Sequence, residues 1–297
     1  MLLDRPVFKG SATAIVTPFS GGKIDFVSFG RLIERQLVEG ADGIVVCGTT
    51  GESATLSETE RRDIIRFAVK QADGRLPVIA GTGCNNISTA IEMTKFAEDA
   101  GADAVMTVTP YYNKASESGL IRSFTAIADS VKLPVILYNV PSRTGIDIPM
   151  SVYKELCRHE RICAVKEAGG NILTTQRILT ECRGMLDVYS GNDDMTLAVL
   201  ALGGIGVVSV VGNLVPHKMH GLCTAFFEGS LDKCRQLQQD MSTLCEAMFC
   251  EVNPIPVKCA LAMMGLCGEE MRLPLCEIDS AKRSRIAEVL RSCGLIG

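Results

Sequence analysis

The chain has 297 residues, 47% of them hydrophobic and 22% charged, a globular composition with room for one large domain and an appendage. A net charge of −4 leaves no basic footprint for nucleic acid or anionic lipid, so an anionic ligand would have to be captured by local groups. The thirteen cysteines include no Cys-x-x-Cys pair and sit mostly among apolar neighbours, which reads as buried free thiols in a reducing compartment and counts against a metal cluster.

The start, Met1 to Pro6, lacks the long apolar stretch of a secretory leader. Short β-rich runs then recur near 11–17, 43–47, 77–82, 104–109, 134–139, 162–166, 186–190 and 206–210. Helical patterns lie between them. Ser57 with Glu60 forms a capping box before Ile64, Ile65 and Ala68. The spacing predicts a helix from Ile87 to Ala100, stopped by Gly101, and another from Ile172 to Cys182. The stretch Met195–Pro216 carries no charge and has the length of a membrane span. Its glycines break it, so it reads as a buried helix, a turn and a strand. From about Ser230 the strand signal ends, and Leu231–Phe249, Pro254–Met264 and Ser280–Cys293 read as helices.

Eight strand–helix units with near-continuous apolar strands predict an α/β fold, a (β/α)8 TIM barrel over residues 1–229 with a C-terminal α-helical appendage over 230–297. An open doubly wound sheet is the competitor, but no Gly-x-Gly-x-x-Gly follows the first strand. Gly204-Ile205-Gly206 is a late near miss.

Barrel enzymes carry their chemistry at the C-terminal ends of the strands. Polar residues collect there: Gly48–Ser53, Thr109–Asn113, Tyr138–Gly145, Lys166 and Gly191–Asp194. Lys166 closes the apolar run Ile162–Val165. In a dry pocket its ammonium would be disfavoured and the free amine could attack a keto carbonyl; otherwise its stem packs and its head reaches water. The Gly48–Ser53 loop suits a carboxylate, or is simply a capped turn. Tyr138 could relay a proton together with Thr49 and Tyr112, or be a satisfied core tyrosine. Arg143 could fork onto a carboxylate, or pair at the surface. His217 and His220 share a helix face but have no acidic pair near them in sequence, so they read as structural, and neither a metal nor any other cofactor is called for. Cys47 and Cys84 fall near the same strand ends, and nothing in the sequence sets their reactivity.

Taken together, Ala14–Phe19, Gly48–Leu56, Thr109–Asn113, Tyr138–Gly145, Val165–Ala168 and Asn253–Lys258 resemble the dihydrodipicolinate synthase family, within a wider superfamily of pyruvate aldolases. The resemblance implies a cytoplasmic enzyme of the diaminopimelate route to lysine. Pyruvate would form an imine with Lys166, and the derived enamine would attack L-aspartate 4-semialdehyde. By match to the family motifs, Thr49, Tyr112 and Tyr138 form the proton relay, Thr50 with Thr49 holds the pyruvate carboxylate, and Arg143 holds the semialdehyde carboxylate. Val208 lines the site through its backbone carbonyl. The resemblance also implies a homotetramer in which Tyr112 enters the neighbouring subunit's site. N-acetylneuraminate lyase, which shares the lysine but usually lacks the arginine, is the alternative. Family members inhibited by lysine carry two histidines and a glutamate where this chain has Glu58, Arg61 and Thr89, which implies weak or absent feedback.

Overall fold

In the computed structural model, residues 6–297 are described; the first five, part of the segment read for a leader, lie outside them. Eight strands form a closed parallel barrel in sequence order: β1 (Gly10–Ala14), β2 (Gly43–Val46), β3 (Val78–Gly81), β4 (Ala104–Val108), β5 (Val135–Asn139), β6 (Ile162–Glu167), β7 (Asp187–Ser190) and β8 (Gly206–Ser209). Their near-continuous apolar composition is explained by burial on both faces. Alternate side chains point inward, and Ala12, Val45, Ile79, Met106, Ile136, Ala164, Tyr189 and Val208 fill the interior as one cluster. The opposite faces pack against the helical ring in a second, larger core.

The barrel closes where β1 pairs with β8, Gly10 opposite Gly206. A Cβ on Gly206 would lie 2.1 Å from the Gly10 carbonyl oxygen, so only glycine fits this seam. The near miss to a dinucleotide motif at 204–206 is therefore a packing requirement of closure. Phe8 stacks on Tyr189 with ring centroids 4.1 Å apart, and the Tyr189 hydroxyl donates to the Phe8 carbonyl at 2.7 Å.

The helices α1 (Phe26–Val38), α2 (Glu58–Ala72), α3 (Ile87–Asp99), α4 (Glu117–Asp129), α5 (Pro141–Thr144), α6 (Met150–Leu156), α7 (Ile172–Glu181), α8 (Thr196–Ala201) and α9 (Pro216–Phe227) connect the strands and follow the last one. The Ser57–Glu60 capping box opens α2, each side chain accepting from the other's backbone N–H. The uncharged stretch 195–216 resolves into α8, a turn and β8, and no helix among the described residues is long and apolar enough to cross a membrane. Beyond residue 229 there are only helices: α10 (Leu231–Asp240), α11 (Ser242–Met248), α12 (Ile255–Met263) and α13 (Ser280–Ser292). The expected single helix over 231–249 is two, because the chain turns at the buried Met241, a break that unbroken apolar spacing does not signal.

Candidate active site

Lys166 lies on β6 directly opposite Tyr138 on β5, and Glu167 opposite Asn139. Past an irregularity at the start of β6, Ala164 and Lys166 face the barrel interior, where Lys166 is only 5% exposed, with Nζ 4.4 Å from the Tyr138 ring centroid. At that distance an ammonium is attracted by the ring face. Asp193, after β7, is the nearby buried carboxylate. Its Oδ2 accepts from the backbone N–H groups of Val210 and Val211, each at 3.0 Å, while Oδ1 has no partner. Burial pushes this carboxyl up, and its hydrogen bonds together with the positive charge of Lys166 pull it down.

Asn139 and Glu167, at the ends of β5 and β6, face the other way and carry a second polar cluster. Asn139 Nδ2 donates to both Glu167 oxygens, at 3.2 and 3.0 Å, and to Asp147 at 2.7 Å. Gly169 N–H and the Tyr153 hydroxyl also donate to Glu167, at 2.7 and 3.2 Å. Burial pushes the Glu167 carboxyl up against these bonds. The cluster fixes the two strand ends that present Tyr138 and Lys166, and strand periodicity alone did not reveal it.

The loop after β2 carries Thr49 and Thr50. Two non-glycine residues bracket it in the left-handed region, Cys47 at φ 53° and Glu52 at φ 55°. The turn is closed by Glu52 N–H to the Thr49 carbonyl at 3.0 Å, and the Thr17 hydroxyl donates to the Gly51 carbonyl at 2.8 Å. Burial pushes the Cys47 thiol up to about 12, so at neutral pH it is not a nucleophile. After β5, Pro141 opens the single turn α5, and Gly145 closes it at φ 69°, which sets Arg143 at the rim.

A cavity of about 270 Å³ opens among these loops, lined by Thr49, Arg61, Cys84, Tyr111, Arg143 and Asn253 among others. Thr49 and Arg143 thus share one cavity. Lys166, Tyr138 and Val208 lie in the barrel interior rather than in its wall; Val108, the register partner of Tyr138, and Val140 are in that wall. Thr50 is buried and joins the cavity through Asn253, whose Nδ2 donates to its hydroxyl at 3.0 Å. Tyr112 is not brought to this chain's own site. It is 94% exposed, at φ 72°, a strained conformation for a bulky residue.

The two helix-face histidines have acidic partners after all, supplied from 178 residues away: His217 with Glu39 at 3.0 Å and His220 with Asp42 at 2.9 Å. All thirteen cysteines are free thiols and eight are buried. Sequence reasoning also missed Glu52 and Lys258. They form a fully buried ion pair between the Thr49–Thr50 turn and α12.

Fold and site together define the class: a (β/α)8-barrel enzyme with a buried lysine at the end of one strand and a polar-lined cavity among the loops at its mouth. The chain belongs to the dihydrodipicolinate synthetase family, whose model matches residues 7–293. It is 49% identical over 290 residues to the 4-hydroxy-tetrahydrodipicolinate synthase of Nitratidesulfovibrio vulgaris, covering 97% of this chain and 99% of that one. The dihydrodipicolinate synthase structure from Thermotoga maritima superposes with a TM-score of 0.96 at 39% identity, covering 98% of this chain and all of the other. The chloride-inhibited enzyme from Acinetobacter baumannii, solved with pyruvate, superposes at 0.95 with 39% identity over 97% and 99%.

Proposed function

We infer that the chain condenses pyruvate with L-aspartate 4-semialdehyde to give 4-hydroxy-tetrahydrodipicolinate, in lysine and diaminopimelate biosynthesis, with Lys166 as the Schiff-base residue. The single observation that carries the residue assignment is the burial of Lys166 against the Tyr138 ring inside the barrel, beside a cavity walled by Thr49 and Arg143.

The free amine of Lys166 adds to the pyruvate keto carbon, and water leaves to form the imine. Loss of a methyl proton gives the enamine, whose carbon attacks the semialdehyde carbonyl. The substrate's own amino group then displaces Lys166 and closes the ring. Tyr138, one strand over, carries protons to and from these centres with Thr49 and with Tyr112 of a neighbouring subunit. Thr50 and Thr49 hold the pyruvate carboxylate, and Arg143 holds that of the semialdehyde. Val208 lines the interior beside the imine.

The extreme exposure of Tyr112 supports a role outside its own chain, so the minimal catalytic unit is a dimer, within a homotetramer. The division into a barrel over 1–229 and a helical domain over 230–297 follows the change from strand–helix units to helices alone. Thirteen unpaired thiols support the cytoplasm as its location.

Steady-state assays with pyruvate and aspartate semialdehyde, set against cleavage of N-acetylneuraminate, test the reading. Turnover with the semialdehyde and none with the sugar acid is expected. The reverse would assign the chain to the lyase branch.

A further inference from the structure

Asn253 connects the two carboxylate-binding elements. It lies between α11 and α12, is 7% exposed, and lines the cavity with Thr49 and Arg143. Its side-chain Nδ2 donates to Thr50 Oγ1 at 3.0 Å, and its backbone carbonyl accepts from Arg143 Nη2 at 3.1 Å. Its Oδ1 is buried with no hydrogen-bond partner. The segment that follows is anchored by Lys258, whose Nζ is bonded to Glu52 at 2.6 Å and to the Thr17 carbonyl at 3.0 Å.

A threonine hydroxyl has one proton to give. Donation from Asn253 occupies a lone pair of Thr50 and leaves that proton for an acceptor in the site. Were the amide turned, Oδ1 would take the proton, and Thr50 would face an anion with lone pairs only. The same residue tethers one nitrogen of Arg143 and leaves its remaining donors for a second anion. We propose that Asn253 is a positioning residue for substrate capture. It directs the Thr50 proton toward the pyruvate carboxylate and sets the reach of Arg143, so that one residue of the helical appendage orients both anion sites.

This rests on the roles given above to Thr50 and Arg143, and the test separates the two. Asn253→Asp keeps the size of the side chain but turns the donor into an acceptor. It should raise KM for pyruvate about tenfold or more, while kcat at saturation stays within about threefold; the Arg143 bond is to the backbone carbonyl and survives the substitution, so KM for the semialdehyde should change less. Asn253→Ala, which removes the director without adding charge, should raise the pyruvate KM less. Saturating pyruvate with borohydride should still label Lys166 in both variants. In a Thr50→Val background, Asn253→Ala should add no further pyruvate penalty, because the hydroxyl it orients is gone. That comparison keeps the test usable if the Asp variant folds poorly, and thermal melts of all variants report stability separately. An unchanged pyruvate KM in Asn253→Asp, or additive effects of Thr50→Val and Asn253→Ala, would overturn the role of Asn253. Absence of a pyruvate adduct on Lys166 in the unmodified enzyme would instead overturn the functional reading itself.

Discussion

Lys258 Nζ donates to Glu52 Oε1 at 2.6 Å, and neither side chain has any exposed surface. The same ammonium donates to the carbonyls of Thr17 at 3.0 Å and Glu270 at 2.6 Å, and the second Glu52 oxygen accepts from the Arg272 N–H at 3.2 Å. Every donor of the lysine is used, which is the condition under which a buried pair is tolerated. The pair binds the helical appendage to the turn that carries Thr49 and Thr50.

Breaking the pair from one side leaves the other charge buried alone. Lys258→Met is expected to lower the unfolding free energy by about 3–5 kcal/mol in denaturant titrations. Adding Glu52→Gln should recover part of that loss, because the stranded carboxylate is removed. A single variant as stable as the unmodified protein would contradict this description of the joint.

A second tie is sensitive to acid. Arg272 forks onto Glu60, also the capping-box residue of α2, and mainly this bond holds the Glu60 carboxyl down at about 2. A carboxyl lowered in the folded state adds stability above its ordinary value of 4.5, and loses it as pH falls from there toward about 2. The melting temperature of Glu60→Gln should therefore lie below that of the unmodified protein near neutrality, and the gap should close as pH drops through that window. A gap independent of pH would contradict it.

Tyr112 offers a test of shared sites. Lys166→Ala and Tyr112→Phe should each be nearly inactive alone. Mixed after dissociation and reassembly, they should regain activity, because the site that keeps Lys166 then receives an intact Tyr112 from its neighbour. If Tyr112 worked within its own chain, mixing would restore nothing.

Lysine should be a poor inhibitor. Arg61, at one of the three positions that depart from the lysine-sensitive pattern, is buried in the cavity wall and donates to the Gly81 carbonyl at 3.0 Å. Its guanidinium repels a second cation there. A titration of the condensation rate should show little change as lysine rises, and strong inhibition at sub-millimolar lysine would contradict the reading.

The barrel was legible because both-face burial forces every strand into an apolar run, and the turns between units carry their own signals, as at Ser57 and Glu60. The place of Lys166 at a buried strand end was legible because a charged residue ending such a run is chemically expensive. The pairs that fix the loops were not. Asn253 meets Thr50 across 203 residues, and Lys258 meets Glu52 across 206. A lysine or glutamate in sequence is ordinarily at the surface, and nothing local marks these as buried. The histidine–acid pairs escaped for the same reason, since Glu39 and Asp42 lie on the far side of the barrel's seam in sequence.

Covalent capture of pyruvate by the amine of Lys166 underlies every step proposed for this site. The direct measurement is borohydride reduction of the enzyme with pyruvate, followed by mass mapping of its peptides. One reduced pyruvate adduct is expected, on the peptide that contains Lys166, abolished in Lys166→Ala together with turnover. An adduct on another lysine, or full turnover without Lys166, would contradict it.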